Sequence, residues 1–417
     1  MTRLDLQDVL LICKRNNVFS PSCHLYGGLP GILDYGPIGA EIKRHLRRAW
    51  WEDVVYGDFS VHGIEAALLT PVALHEHSGF LGANYDKFGV FETAMKDEVG
   101  ELKPCHLRVT TAQHSFANFD NIVAAHSPTL PFGIAQIGKA FRNEKDVTSF
   151  PVRMREFEQM ELQYFVAKES ANTWHEFWLQ ERLKWWEKQG ISLNNLVIDD
   201  VPADELAHYS SKTYDINYKL KDNSFFEIEG IANRGDFDCG SHSSIQESLT
   251  LDSTVGKNTK STALMAIKES ENALYTAPYA IEPAAGVDRG LMAILLESFR
   301  IEQSSAKQRV VLSIRPHLAA FKACLYIPNN EDAAAISLAR KIKIDIQKTA
   351  KGKIAIQIGG DPETIFSYHD EVGTPIIITL NDQLSSKDLI KARDRDTANT
   401  TQMTIQELHK RIQTLYM

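Results

Sequence analysis

Residues 130–166 read LPFGIAQIGKAFRNE, then KDVTSFP, then VRMREFEQMELQYFV, two strand-like runs around a short turn, the pattern of an antiparallel hairpin. Its charges limit where such a hairpin can sit. Side chains alternate across a strand, so Arg153, Arg155, Phe157, Gln159, Glu161 and Gln163 are expected on one face, with Glu156, Glu158 and Met160 on the other. Across the turn, Arg142 and Glu144 also share a face. Burying that face would leave charges in need of partners, while exposing it would misplace Phe157 and the flanking apolar runs. A cleft for a charged, planar ligand satisfies both conditions: guanidinium groups bind phosphates in two-pronged fashion, and an aromatic face suits a nucleobase.

The surrounding pattern is mixed. IGAEIKRHLRRAWWEDVVY, residues 38–56, carries apolar residues at helical spacing behind a turn rich in Gly and Pro. FSVHGIEAALLTPVAL reads as a strand ending at Pro71, and residues 170–190 as a helix with an apolar stripe of Trp174, Phe177, Trp178 and Trp185, expected to face a core. TYDINYKL and SFFEIEGIANR read as strands, and GVDRGLMAILLESF as a helix led by a glycine. These first 300 or so residues read as α+β. A change of composition at 301–309 marks a boundary. Beyond it VVLSIRPHLAAFKACLYIP, KIAIQIG and TPIIITL read as strands alternating with helices EDAAAISLARKIKIDIQKTA and MTIQELHKRIQTLY, a compact α/β domain. The expected domains are 1–305, with a helical insertion at about 168–210, and 306–417.

Composition narrows the class. With 417 residues and 43% hydrophobic content the chain can bury two or three ordinary cores. No apolar run reaches the roughly 18 to 20 residues needed to span a bilayer. The opening MTRLDLQDVLLICKRNNVF mixes charges into its apolar residues, unlike a secretory signal, so cytoplasmic residence is expected. Cys13, Cys23, Cys105, Cys239 and Cys324 are scattered and odd in number, which supports neither a disulfide framework nor a zinc ribbon. A net charge of −9 argues against nonspecific nucleic-acid binding but leaves room for a local basic surface.

The array Phe141-Arg142-x-Glu144, a loop, then Arg153-x-x-x-Phe157-x-x-x-Glu161 resembles motif 2 of class II aminoacyl-tRNA synthetases. Within that class the chain resembles the dimeric glycyl-tRNA synthetases from near residue 5 to near residue 410. The likeness rests on YGGLPGILDYGPIGAEIKRHLRRAWW (26–51), PFGIAQIGKAFRNE (131–144), REFEQME (155–161), EIEGIANRGDFD (227–238), EPAAGVDRG (282–290), DEVGTP near 370 and RDRDT near 395. It implies a class II antiparallel sheet flanked by helices, an anticodon-binding α/β domain, and a homodimer formed through residues 38–71. It implies ATP, Mg²⁺, glycine and tRNA-Gly as cofactors and partners. Arg142 would hold the ATP α-phosphate and Arg289 the γ-phosphate side, these two being the catalytic residues. Asn143, Glu144, Arg153, Arg155, Phe157, Glu227, Ile228, Gly286 and Asp288 complete the implied ATP site, with Glu227 the implied Mg²⁺ ligand. Thr110, Gln113, Phe157, Glu161, Glu282, Ala284 and Gly286 form the implied amino-acid site.

Two positions depart from the family. Where it carries R-P-E-T-A-Q-G this chain has Arg108-Val109-Thr110-Thr111-Ala112-Gln113-His114, and where it carries E-P-S this chain has Glu282-Pro283-Ala284. Glu161 is then the acidic residue expected to face the ammonium, and Thr110 and Ala284 open volume for a larger or less polar substrate. ETIFSYH, residues 363–369, stands where the family has several arginines, while Arg393 and Arg395 remain. Besides glycine charging, two alternatives fit: a paralogue activating another small amino acid or loading another acceptor, and a non-catalytic accessory protein on the same scaffold.

Overall fold

The computed structural model describes residues 2–80, 89–147, 151–269, 274–303, 308–380 and 389–416. Helix α1 covers Leu6–Arg15 and α2 Pro37–Val54. Proline at the first position of α2 costs no hydrogen bond, because that N–H has no partner within a helix. Ile38, Ile42, Leu46, Trp50 and Val54, one turn apart, bury one face of α2 against the central sheet and its helices.

That sheet has seven strands. They are β1 (Val61–Gly63), β2 (Phe132–Phe141), β3 (Glu156–Val166), β4 (Leu196–Asp200), β5 (Lys212–Lys219), β6 (Phe225–Gly235) and β7 (Tyr279–Gly286). Their order is β4-β5-β6-β7-β3-β2-β1, antiparallel except for the parallel edge pair β1 and β2. The expected hairpin is β2 and β3, with Gln136 opposite Glu161. Helices α3 (Ala171–Lys188) and α4 (Val287–Ser298) pack on one face. They approach closely: a Cβ on Gly290 of α4 would lie 2.3 Å from the Trp186 ring of α3. The opposite face of the sheet is left to form a cleft.

Several expectations need correction. Residues 59–74 form two strands in different sheets, β1 and Leu69–Pro71, because β1 continues a seven-stranded sheet while Leu69–Pro71 pairs with Leu102–Leu107. Residues 310–328 likewise split at Pro316 into Gln308–Leu312, which pairs with Phe299–Gln303, and β8 (Phe321–Ile327) of the second domain. The change of composition at 301–309 therefore precedes the change of core: Leu312, Ile314, Leu318, Ala319 and Ala320 pack with the first core, and the second begins at Ala323. Trp178, Trp185 and Trp186 of helix α3 are buried in that first core.

The second domain adds α5 (Ala333–Ala350), β9 (Lys353–Ile358), α6 (Pro362–Glu371), β10 (Ile376–Thr379), β11 (Leu389–Asp394), β12 (Thr400–Thr404) and α7 (Ile405–Tyr416). Its sheet order is β9-β8-β10-β11-β12, with β8 parallel to both neighbours. Asp370 at the end of α6 receives two hydrogen bonds from Arg393 and one from Arg309, tying this domain to the strand that leads into it.

Candidate active site

From Glu156 onward β3 alternates as expected, sending Phe157, Gln159 and Glu161 into the cleft and Met160 and Leu162 into the core. Two cavities of about 110 and 280 Å³ occupy the cleft. They share Arg142, Gln159, Glu227 and Ala284 as lining, so one continuous groove runs past Arg142.

The smaller cavity brings three guanidiniums, Arg142, Arg153 and Arg289, into its lining. The Arg142 guanidinium lies 5.2 Å from the Phe157 ring centroid, and its Nε donates to Val109 O at 3.2 Å. Burial, then the like charge of Arg289, pulls the Arg142 pKa down, so both guanidiniums gain from an anion placed between them. Arg289 donates from Nε to Val152 O at 2.8 Å and from Nη1 to Glu227 Oε2 at 3.0 Å. The position of Glu227 depends on a β-bulge: Ile216 pairs with Glu229 and Asn217 with Glu227, leaving Ile228 as the extra residue. Glu227 and Glu229, two apart in sequence, consequently face opposite ways. Glu229 turns into the core, where Arg182 and the Trp186 indole bind it at 2.8 and 2.6 Å. Glu227 turns into the cleft. A Cβ on Gly230 would meet Asp215 Oδ1 at 3.3 Å and Glu227 Oε1 at 3.6 Å, so these two carboxylates converge beside Arg289. Hard carboxylate oxygens there suit Mg²⁺, which binds one or two carboxylates together with phosphate oxygens.

The larger cavity is anionic. Glu161 is 1% exposed and accepts hydrogen bonds from Thr110 (3.2 Å), Thr111 (2.9 Å), Gln159 (3.3 Å) and Gln163 (3.0 Å). Burial, and after it the charge of Glu282, pushes the Glu161 carboxyl up to about 8. Gln163 bridges Glu161 and Glu282, and Arg234 holds Glu282 at 3.0 Å while forming a two-pronged pair with Asp238. The chain of contacts continues from Asp238 to Gln113 and from Gln113 to His242. The Arg234 guanidinium carbon lies over the Tyr209 ring, 3.5 Å from its centroid. Glu161, Glu205, Asp215, Glu227 and Glu282 line this cavity against Arg142 and Arg234, an excess of carboxyl groups that suits a cationic group.

Comparison with known proteins agrees with that geometry. A family model described as the class II core domain of tRNA synthetases (G, H, P, S and T) matches residues 101–299, and one described as an anticodon binding domain matches 326–415. Glycine--tRNA ligase of Deinococcus radiodurans is 35% identical over 98% of each chain, and that of Thermus thermophilus 34% over 98% of each. The enzyme of that name from Mycobacterium bovis is 31% identical over 94% of this chain and 93% of its own. The chain belongs to the glycine--tRNA ligase family of class II aminoacyl-tRNA synthetases.

The family's implied site residues are not all gathered in the groove. Arg142, Glu144, Arg153, Phe157, Glu227, Ile228, Gly286, Asp288 and Arg289 line the smaller cavity, and Thr110, Gln113, Glu161, Glu282 and Ala284 the larger. Asn143 is exposed and lines neither. Arg155 is also outside the lining: it precedes the strand, and its guanidinium is taken by Glu144 O and Pro30 O, bracing the turn at 26–31 against the hairpin. The Asp288 carboxylate, in that lining, accepts from Tyr35, Lys43 and the Glu158 N–H. His114 bonds to Thr70 and lines neither cavity. Glu161 is not the sole acid, since Glu282 lines the same cavity. Arg393 and Arg395 are committed to Asp370 and to Asp396, Ile314 O and Gly373 O.

Sequence reasoning missed Asp215, Tyr209 and Arg234. The Asp215 carboxyl is pushed up to about 7 by burial and then by Glu227. Its place across the β5–β6 pair from Gly230 is the signal that strand pairing would have supplied.

Proposed function

We propose that the protein joins glycine to ATP as glycyl-adenylate and passes the glycyl group to tRNA-Gly. The observation that carries this reading is the single groove with cations at one end, the Glu161 and Glu282 carboxylates at the other, and Arg142 between them. The glycine ammonium is held by Glu161, with Glu282 behind it. Its carboxylate then lies toward Arg142, where it attacks the α-phosphorus of ATP in line and pyrophosphate leaves. Arg142 spreads the charge that develops on the α-phosphate, Arg289 holds the pyrophosphate side, and Phe157 stacks on the adenine. Glu227 and Asp215 would hold Mg²⁺, which neutralises phosphate charge when bound. The 2′- or 3′-hydroxyl of tRNA next attacks the adenylate carbonyl, releasing AMP.

Among the described residues no helix is long and apolar enough to cross a membrane, and all five cysteines are free thiols. Both fit a cytoplasmic enzyme. We place the homodimer contact on residues 38–71, where Tyr56, Leu68 and Leu69 are exposed and apolar. Charging of tRNA-Gly with labelled glycine tests the reading; failure to charge it in the presence of ATP and Mg²⁺ would overturn it.

A second reading has one observation in its favour. Ala284 sits directly across from Glu161 in the sheet, so a methyl group faces the carboxylate, and the Thr110 hydroxyl is bound to that same carboxylate. A slightly larger small amino acid, alanine or serine, would then be activated beside glycine.

A further inference from the structure

Between β4 and β5 the chain makes a loop, residues 201–211, that walls part of the larger cavity with Glu205, Ala207, His208 and Tyr209. The loop is pinned on both sides of Tyr209. Before it, His208 Nε2 meets Ser78 O at 2.9 Å, and the His208 ring packs edge-on against Phe237 with 5.2 Å between centroids. After it, the Ser210 N–H donates to Ala207 O and the Ser211 N–H to Asn233 O of β6, both at 2.8 Å. The Tyr209 side chain turns about only two bonds, and the Arg234 guanidinium covers its ring. Arg234 is itself fixed by Asp238 at 2.7 Å and Glu282 at 3.0 Å, so the place of the phenol is well determined.

The Tyr209 hydroxyl has nothing in the protein to bind. Among the described residues it makes no hydrogen bond, although a phenol set into a protein usually finds a partner. Tyr35, Tyr218 and Tyr326 do so, donating to Asp288, Glu297 and Gly360 O. Burial pushes the Tyr209 pKa up to about 12, with Arg234 and Arg142 pulling against Glu282 and Asp238, so the hydroxyl keeps its proton and has it to donate. Tyr209 lines the larger cavity and not the smaller, which puts its hydroxyl at the amino-acid end of the groove. Of an amino acid bound there, the ammonium offers only donors. The carboxylate is the group that accepts.

We propose that the Tyr209 hydroxyl donates to the carboxylate of the bound amino acid, at the oxygen that does not attack ATP. This role rests on the reading that the groove activates an amino acid. With its ammonium on Glu161 and one carboxylate oxygen on Tyr209, the substrate is held at both ends and directs its second oxygen at the α-phosphorus beside Arg142. The bond is charge-assisted and hence among the stronger ones available to a neutral side chain. As the attacking oxygen forms its bond to phosphorus, pyrophosphate leaves with the electron pair of the bond that breaks. The oxygen on Tyr209 becomes the carbonyl oxygen of the adenylate, and Tyr209 keeps its proton.

Tyr209→Phe removes the hydroxyl and leaves the ring under Arg234. In glycine-dependent ATP–pyrophosphate exchange it should lower kcat/KM for glycine about ten- to a hundredfold, the scale of one hydrogen bond to a charged group, with the KM for ATP unchanged. The thermal midpoint should stay at the wild-type value, because the hydroxyl has no partner in the protein, whereas Tyr35→Phe takes a donor from Asp288 and should lower it. Methylammonium carries the ammonium without a carboxylate, so it should compete with glycine equally well in both proteins. A glycine kcat/KM within about twofold of wild type would overturn the proposal. So would weaker methylammonium competition in Tyr209→Phe, which assigns the hydroxyl to the ammonium, or a raised KM for ATP alone, which assigns it to a phosphate. A fall in midpoint as large as that of Tyr35→Phe makes it a structural group and also overturns the proposal. Wild-type exchange that Tyr209→Phe leaves unaltered removes this role but not the activation reading; a wild-type protein that supports no exchange with any amino acid removes both.

Discussion

The raised Glu161 carboxyl makes glycine use depend on pH in a defined direction. Burial and the neighbouring Glu282 hold it at about 8, against an ordinary 4.5, so in the free protein it keeps a proton throughout that interval. An ammonium requires the ionised form, so binding expels the proton, and affinity rises with pH up to about 8 and then levels. Below that range each pH unit lowers the ionised fraction, and with it the affinity for the ammonium, about tenfold. The kcat/KM for glycine in ATP–pyrophosphate exchange, at saturating ATP, should therefore climb about tenfold between pH 6.5 and 7.5. Glu282→Gln removes the second cause but not the burial, and should move the inflection to lower pH. A glycine kcat/KM that is flat from pH 6 to 8, with an inflection only near the ordinary carboxylate range, would refute this electrostatic account of the pocket.

Other perturbations follow from the same contacts. Arg142→Ala should lower the exchange kcat by about 10² to 10³-fold, the scale of losing one preorganised charge stabiliser, and a smaller loss than tenfold would contradict its role at the α-phosphate. Glu229→Gln leaves the buried Arg182 with Asp53, at 3.4 Å, as its remaining charge partner and should cost about 1 to 3 kcal/mol in denaturant unfolding. Gly290→Ala drives a methyl into the Trp186 ring and should cost about 1 to 3 kcal/mol, read as a fall in thermal midpoint. Asp288→Asn weakens charge-assisted bonds to Lys43 and Tyr35 and should cost about 1.5 to 3 kcal/mol of stability, because that carboxylate anchors α2.

Periodic features were legible in the sequence. The hairpin of β2 and β3, the helices α2, α3 and α4, and the cleft-facing set Phe157, Gln159 and Glu161 all follow from alternation or helical spacing, which are local properties. Features set by pairing between distant strands were not legible. The bulge at Ile228 that parts Glu227 from Glu229 needs β5 as a reference, and Asp215 joins the site only through that same pairing. Residues 59–74 and 310–328 each read as one strand because both halves are apolar, although each half belongs to a different sheet. Arg155, Arg393 and Arg395 illustrate a third limit: a cation in a motif can serve a carbonyl or a buried carboxylate as readily as a phosphate, and only the packed structure distinguishes these fates.

The central claim is that the groove joining Arg142 to Glu161 and Glu282 activates glycine. ATP–pyrophosphate exchange across glycine, alanine, serine and larger amino acids tests it most directly, run beside Ala284→Ser, which returns a hydroxyl opposite Glu161. Glycine should show the highest kcat/KM, with alanine and serine behind it and the gap widened by Ala284→Ser. Exchange with alanine or serine above glycine, or no exchange with any amino acid, would contradict it.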